Sequence, residues 1–341
     1  CLVRPRGDED PLETVRANLR SYGLEDAACS ERVVVAAGDL GEPLLGMGEE
    51  YFDVLAREAD FVIHAGAAVN LVYPYSALKA ANVDGTREVL RLACRHAVKP
   101  VHYVSTNGVF PANVGLCEED ADLDILAGAQ ENGYGQSKWV AESLVWRAAE
   151  RGLPVSVYRP GNISGHSASG ASNPRDLLGV VIVESLRLGA APEVEGWLME
   201  MTPVDFVAGA ILHLASESTA SGGTYHLADP DPMPATDLFD CLAELGYPLQ
   251  RLPYGEWIEG VKAVSHREED AVGGILRGAA PGVDELRDGN EYDDRNTRAA
   301  LRSGGPRRPT FDRDLIETYV RYFARQGWID APALQRADRR G

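Results

Sequence analysis

Tyr134 and Lys138 stand four residues apart in Tyr-Gly-Gln-Ser-Lys, and Val104-Ser105-Thr106 closes an apolar run upstream. A helix brings residues i and i+4 onto one face, so the phenol and the ammonium are expected to project together. A tyrosine hydroxyl ordinarily titrates near ~10. A neighbouring cation favours the phenolate and lowers that value, which lets the phenol exchange protons with a carbonyl oxygen. A hydroxyl from Thr106 would hold the same oxygen. The expected chemistry is therefore at a C=O carbon, with Thr106, Tyr134 and Lys138 as the catalytic set. A Tyr-x-x-x-Lys match is weak alone, and a surface pair opening a helix is the plain alternative. Only four of the 33 basic residues are lysine (Lys79, Lys99, Lys138, Lys262), which makes a lysine at that spacing less accidental.

The elements that must carry these residues alternate along the first half. Short apolar runs and helical patterns follow one another, the signature of a doubly wound parallel sheet. Strands are expected at Cys1–Val3, Val33–Ala37, Phe61–His64, Val101–Val104 and Val155–Tyr158. Helices are expected at Leu12–Tyr22, Ala77–Arg95 and Gln136–Arg151, the last closed by Gly152. In the second half Thr202-Pro203-Val204-Asp205 reads as N-cap, N1 proline and acidic N3 of a helix. Thr224–Leu227 reads as one more strand and about Asp312–Arg325 as a final amphipathic helix. Between them lie short helices and loops, with acidic, glycine-bearing stretches at His266–Gly274 and Val283–Asp294. No Gly-x-x-Gly-x-x-Gly precedes the first strand. The chain is therefore expected to be a fragment lacking roughly 25 residues of the usual βαβ opening.

Composition removes several classes of function. With 341 residues the chain can bury a large core, as one large α/β domain or two unequal ones. A net charge of −19 argues against nucleic acid or an anionic membrane as the main partner. The purely aliphatic runs are too short to span a bilayer, and the first residues have no signal-peptide shape. Five scattered cysteines without Cys-x-x-Cys spacing give neither a disulfide framework nor a zinc site. No metal is expected, and a cytoplasmic location is the default.

Other residues invite a cofactor reading. Arg4 follows the first strand, where an arginine accommodates the 2′-phosphate of NADP; Arg16 on the next helix could assist. Solvated arginines at a strand edge are the alternative. Asp39, in Gly38-Asp39-Leu40, could accept from an adenine amino group or cap a turn. His64-Ala65-Gly66-Ala67 puts small residues where a backbone must approach a cofactor closely, and His64 itself reads as structural. Asn82 is a poor mid-helix residue, placed to hold a water that relays to Lys138. After Arg159, the Pro160-Gly161-Asn162 backbone could reach a nicotinamide amide, with an ordinary loop as the alternative. No Gly-x-Ser-x-Gly elbow, no His-Glu-x-x-His and no triad spacing around Ser164-Gly165-His166-Ser167 offers rival chemistry.

Taken in order, these stretches resemble extended short-chain dehydrogenase/reductases. Within them they are similar to the terminal thioester reductase domains of nonribosomal peptide and polyketide synthetases and of carboxylic acid reductases. The matching segments are Cys-Leu-Val-Arg (1–4), Gly38–Gly46, Asp60–Tyr75, Asn-Val-Asp-Gly-Thr (82–86), Val-Ser-Thr (104–106) and Tyr134–Lys138. They continue with Arg-Pro-Gly-Asn-Ile-Ser-Gly (159–165), Thr202–Ala208 and the closing Phe311–Pro332. The resemblance implies a Rossmann-type domain over 1–165, rejoined by 201–228, and a smaller, mostly helical substrate-binding or carrier-facing part over 166–200 and 229–341. It implies NADPH, bound by Arg4, Arg16, Asp39, Leu40, Ala65, Gly66, Ala67, Asn82, Tyr134, Lys138, Pro160, Gly161 and Ile163. It also implies an acyl or peptidyl thioester as substrate, carried by a phosphopantetheinylated carrier domain upstream in the same polypeptide. Release would be as an aldehyde, with a second round giving a primary alcohol. Two other readings stay open on the residues alone: an extended reductase or epimerase acting on a nucleotide sugar or free hydroxy/keto substrate, and a non-catalytic NADP-sensing relative.

Overall fold

The computed structural model describes residues 1–5, 7, 9–29, 31–130, 132–173, 176–216, 222–264 and 289–332. The acidic stretch at 266–274 and the first part of that at 283–294 lie outside the described residues. The chain divides into two compact units. The first comprises Cys1–Pro111, Asp122–Arg159 and Ser218–Tyr225; the second comprises Ala112–Ala121, Pro160–Glu217 and His226–Gly341. The division differs from the expected one: 160–165, 201–217 and 112–121 all belong by contact to the second unit.

The first unit is built on parallel strands. β1 (Leu2–Val3), followed by helix α1 (Pro11–Ser21), pairs with β2 (Ala36–Ala37), followed by helix α2 (Glu49–Glu58), so only the last two residues of the Val33–Ala37 run join a ladder. A four-stranded sheet runs in the order β6 (Gly223–Leu227), β5 (Val155–Pro160), β4 (Val101–Val104), β3 (Val62–His64). β3, β4 and β5 are parallel. Strands buried on both faces read as continuous apolar runs. All six residues of β5 are buried. Val101, Tyr103, Val155 and Val157 share one face with the period of two that a strand imposes. They pack on Ala93 of helix α3 (Gly85–Cys94) and on Ala141 and Val145 of helix α4 (Gly133–Ala149). On the other face His102 Nδ1 meets the Tyr158 hydroxyl at 2.9 Å.

One expected helix is interrupted. The Ala77–Arg95 pattern is a short helix (Tyr75–Lys79), a wider π-type turn (Ala80–Asp84) and then α3. Such π turns mark local functional constraints in otherwise regular helices, and this one carries Asn82.

The second unit is mostly helical. Its core gathers Ile182, Leu238, Phe239, Trp257, Ile316, Tyr319 and Phe323, each at most 1% exposed. These come from the helices Leu177–Leu188, Ala235–Glu244, Tyr254–Val264 and Arg313–Arg325. Short two-stranded pairings tie its loops, Ile163–Ser164 with Thr202–Pro203 among them. That pairing corrects the reading of Thr202 as an N-cap: Thr202 and Pro203 are strand, and the helix begins at Val204. Asp205 accepts from the Ser167 amide at 2.8 Å and from its hydroxyl at 2.6 Å. Among the described residues no helix is long and apolar enough to cross a membrane.

Candidate active site

Tyr134 sits in the first turn of α4. Asn132 caps that helix, its side chain accepting from the Gly135 amide at 2.8 Å. Glycines flank the tyrosine because two backbones crowd it. A Cβ on Gly133 would lie 2.4 Å from the Tyr73 carbonyl oxygen, and one on Gly135 would lie 2.7 Å from that of Gly108. The second contact brings the Thr106–Gly108 turn against the turn of helix that holds Tyr134. Thr106 Oγ1 accepts from the Gly108 amide at 3.1 Å and donates to Asn107 Oδ1 at 3.4 Å.

One helical turn on, Lys138 is 2% exposed. Its Nζ donates to the Val104 carbonyl at 2.8 Å and lies 4.3 Å from the centre of the Tyr103 ring. Thr106, Tyr134 and Lys138 are thus gathered around the end of β4. Their electrostatics differ from the expectation. Burial pushes the Tyr134 phenol up to about 12 rather than leaving it lowered by a neighbouring cation. Burial also pulls Lys138 down to about 7, against the attraction of the Glu142 carboxylate, which raises it. Loss of hydration sets the direction at both groups, and at Lys138 it outweighs pairing.

Asn82 is 2% exposed, and protein groups occupy its amide. Oδ1 accepts from the Ala68 amide at 2.7 Å, and Nδ2 donates to the Ala68 carbonyl at 3.0 Å and to Ser137 Oγ at 2.9 Å. It joins the loop after β3 to the helical turn between Tyr134 and Lys138. His64 is buried, its Nε2 3.0 Å from Thr86 Oγ1, whose proton goes to the Asn82 carbonyl at 2.6 Å. Burial, then the Lys138 charge, pulls His64 down to about 3. It is neutral at physiological pH, as befits a structural histidine.

The residues after the other strand ends suit a dinucleotide, which lies outside the carboxyl ends of parallel strands. After β1, Arg4 is exposed, its Nη1 3.9 Å from Asp39 Oδ2. Arg16 lies half-buried on the Pro11–Ser21 helix. Asp39 Oδ1 accepts from the Gly41 amide at 2.8 Å, so one of its oxygens fixes a turn. After β3, Ala65 and Gly66 are exposed and Ala67 half-buried. A Cβ on Gly66 would lie 2.6 Å from Leu40 Cδ1, and one on Gly85 would lie 2.6 Å from the Leu40 carbonyl oxygen. Leu40 is therefore seated on two glycines, leaving a ledge of small residues that a flat ring can approach.

Pro160, Gly161 and Ile163 fall in the second unit. There the Glu200 carboxylate lies where a Gly161 side chain would start: a Cβ would be 2.1 Å from Oε2. Glu200 Oε2 accepts from the Asn162 amide; Oε1 accepts from Thr202 Oγ1 and from the Asp229 amide, both at 2.8 Å. Burial pushes its carboxyl up to about 7 despite these donors. Tyr319 of the closing helix donates to the Gly165 carbonyl at 2.9 Å, and its oxygen is 2.8 Å from Ser164 Oγ.

Sequence reasoning missed Glu142, Arg159 and Ser105 as a group. Arg159 Nη2 donates to Glu142 Oε1 at 2.6 Å, with side chains 1% and 0% exposed. Ser105 Oγ donates to Glu142 Oε2 at 2.5 Å, and Trp146 Nε1 donates to Oε1 at 3.2 Å. The available signal was Glu142 itself, four residues after Lys138 on a face otherwise buried by Ala141 and Val145. Among the described residues no group of His, Cys, Asp or Glu could hold a metal ion.

Comparison with known proteins bears on this site. Residues 1–211 match the NAD-binding family described as male sterility protein. Glycine betaine reductase ATRR of Emericella nidulans is 44% identical over 347 residues, covering 98% of this chain. The chain spans only 27% of that longer protein. The crystal structure of the terminal R domain from the myxalamid PKS-NRPS biosynthetic pathway superposes with a TM-score of 0.88 at 40% identity. The match covers 97% of this chain and 85% of that one. A UDP-glucuronic acid 4-epimerase from Bacillus cereus, solved with NAD, has a TM-score of 0.65 at 15% identity, covering 92% of this chain and 87% of its own. That likeness is one of fold alone.

Proposed function

Because the chain belongs to the terminal reductase (R) domain family of nonribosomal peptide and polyketide synthetases, we propose that it releases an acyl or peptidyl thioester from a phosphopantetheinyl carrier domain as an aldehyde, using NADPH. The chain is a nicotinamide-dependent oxidoreductase; the choice of NADPH rests on Arg4 and Arg16, whose guanidinium forks suit a 2′-phosphate. The observation that carries the reading is the convergence at the end of β4: Gly135 against the Gly108 carbonyl and Lys138 on the Val104 carbonyl.

NADPH, when bound, supplies the hydride for the thioester carbonyl carbon. Thr106 and Tyr134 donate hydrogen bonds to the carbonyl oxygen as it gains charge, the preorganised stabilisation that dominates such barriers. With its phenol pushed up to about 12, Tyr134 is protonated at neutral pH and passes its proton to that oxygen. Lys138 donates from Nζ to the ribose hydroxyls. The resulting hemithioacetal then breaks its C–S bond: the hydroxyl proton leaves, the sulfur takes a proton, and aldehyde and carrier thiol separate. A second reduction would give the primary alcohol. The carrier domain is expected upstream in the same polypeptide, and five free cysteines suit a reducing, cytoplasmic setting.

The test is NADPH oxidation, followed by absorbance, by the full-length protein with an acyl-pantetheine or carrier-bound thioester, products being read by mass. Aldehyde or alcohol is expected, and Tyr134→Phe is expected to slow turnover by roughly 100–1,000-fold. Activity confined to a ketone or a nucleotide sugar would move the chain to the epimerase-like alternative.

A further inference from the structure

A fully buried ion pair stands behind the reactive face of α4. Glu142 lies one turn beyond Lys138, and Arg159 at the end of β5 reaches it with Nη2 at 2.6 Å and Nε at 3.1 Å. The other carboxylate oxygen takes the Ser105 hydroxyl. Ser105 lies between Val104, whose carbonyl receives Lys138, and Thr106, and its own amide donates to the Tyr158 carbonyl at 2.7 Å. The Arg159 guanidinium rests on the Phe110 ring, 5.1 Å from its centre, beyond the turn that follows Thr106. One carboxylate therefore ties α4, the end of β4 and the end of β5 together, all within the first unit. Buried pairs of this kind are poor stabilisers, since desolvation offsets their attraction, and their best use is to fix geometry.

We propose that Glu142, clamped by Arg159, is a positioning residue that holds the Ser105 end of β4, and with it Thr106 and the Val104 carbonyl that receives Lys138. This rests on the reading of Thr106, Tyr134 and Lys138 as the reacting set. The groups facing Lys138 are Tyr134 and Glu142 on its own helix, Tyr103 and the Val104 carbonyl on β4, and His64 on β3. Burial makes His64 neutral and keeps both phenols protonated. Glu142 is thus the carboxylate that opposes the burial of Lys138.

Two measurements on the full-length protein test this, one of them independent of turnover. The side-chain carbons of 13C-labelled lysine report the titration, four of the lysines lying in this chain, and Lys138→Met assigns the signal by its loss. Glu142→Gln is expected to move the Lys138 titration midpoint to lower pH, and the alkaline limb of kcat with it. It should also lower kcat by up to about 100-fold through misplacement of Thr106. Glu142→Asp keeps the charge, so it restores the midpoint more than the rate. Glu142→Gln combined with Arg159→Met leaves no unpaired buried charge and so folds where the single variant does not; it too should be slow and shifted. Ser105→Ala keeps the ion pair and should slow turnover without moving the midpoint. An unmoved Lys138 midpoint in the folded variants that carry Glu142→Gln, or wild-type kcat in the double variant, overturns the proposal. A wild type that turns over no thioester while its Lys138 midpoint still depends on Glu142 would instead sink the reading of substrate.

Discussion

A phenol pushed up to about 12 by burial is a hydrogen-bond donor across the physiological range, so in the proposed reaction Tyr134 acts as an acid. Lys138 Nζ gives one proton to the Val104 carbonyl and lies over the Tyr103 ring, which leaves further N–H groups for the proposed ribose contact. At the far end of the proposed cofactor site the deciding residue is Arg4. It is exposed, and at 3.9 Å the Asp39 carboxylate holds it only loosely, so the guanidinium is available to a 2′-phosphate. A charge-assisted hydrogen bond is worth about 1.5–3 kcal/mol, and solvent screening at so exposed a site favours the low end. Arg4→Ala in the full-length protein is therefore expected to raise KM for NADPH about 10-fold and leave KM for NADH unchanged. Steady-state kinetics with the two cofactors read this directly; equal loss with both would take Arg4 out of the phosphate site.

The elements show why glycine stands on both sides of Tyr134. Gly135 is helical, and alanine there would gain about 1 kcal/mol of helix propensity. A Cβ at that place would meet the Gly108 carbonyl at 2.7 Å, and this neighbour is backbone. Overpacking of that sort costs about 1–3 kcal/mol, so Gly135→Ala should change the melting temperature little while pushing the Thr106 turn off α4. The expected loss in kcat is about 100-fold; wild-type kcat at unchanged stability would show that the close approach does not set the geometry. Little of this contact was legible beforehand. The sequence read β4 and β5 closely because parallel strands buried on both faces are rich in apolar residues, and it read β3 from the same pattern although Ile63 is exposed. It missed the π turn at Ala80–Asp84, since a period of 3.6 and one wider turn cannot be told apart over five residues. It misread Thr202-Pro203 because a strand residue and an N-cap share the same extended backbone, and only the pairing with Ile163–Ser164 decides between them. That Tyr134 and Lys138 share one helix beside the strand that ends before Thr106 was readable from spacing. The Glu142–Arg159 pair was not, because its partners lie on different elements and nothing local announces that they meet.

Across the whole molecule, the two compact units carry opposite responses to acid. In the first, His64 has an ordinary value of 6.5 when unfolded and about 3 when folded. A depressed base contributes stability above its unfolded value and loses it as pH falls, by about 2 kcal/mol at pH 5. In the second, Glu200 moves from 4.5 unfolded to about 7 folded. A raised acid contributes stability below its unfolded value and loses it as pH rises through the folded one, so acidification from 7 to 5 strengthens this unit. Lys138, at about 7 folded against 10.5 unfolded, has already spent its contribution above that window. The net charge of −19 bears on both units together and cannot separate them. Hydrogen exchange resolves local stability segment by segment, so rates corrected for intrinsic pH dependence should drift in opposite directions. The Val101–Val104 amides of β4 should lose protection between pH 7 and 5, while those of Asn162 and Thr202 gain it. His64→Gln should flatten only the first drift and Glu200→Gln only the second. If both segments drifted together in the wild type and in each variant, neither buried group would hold the protonation state its surroundings dictate.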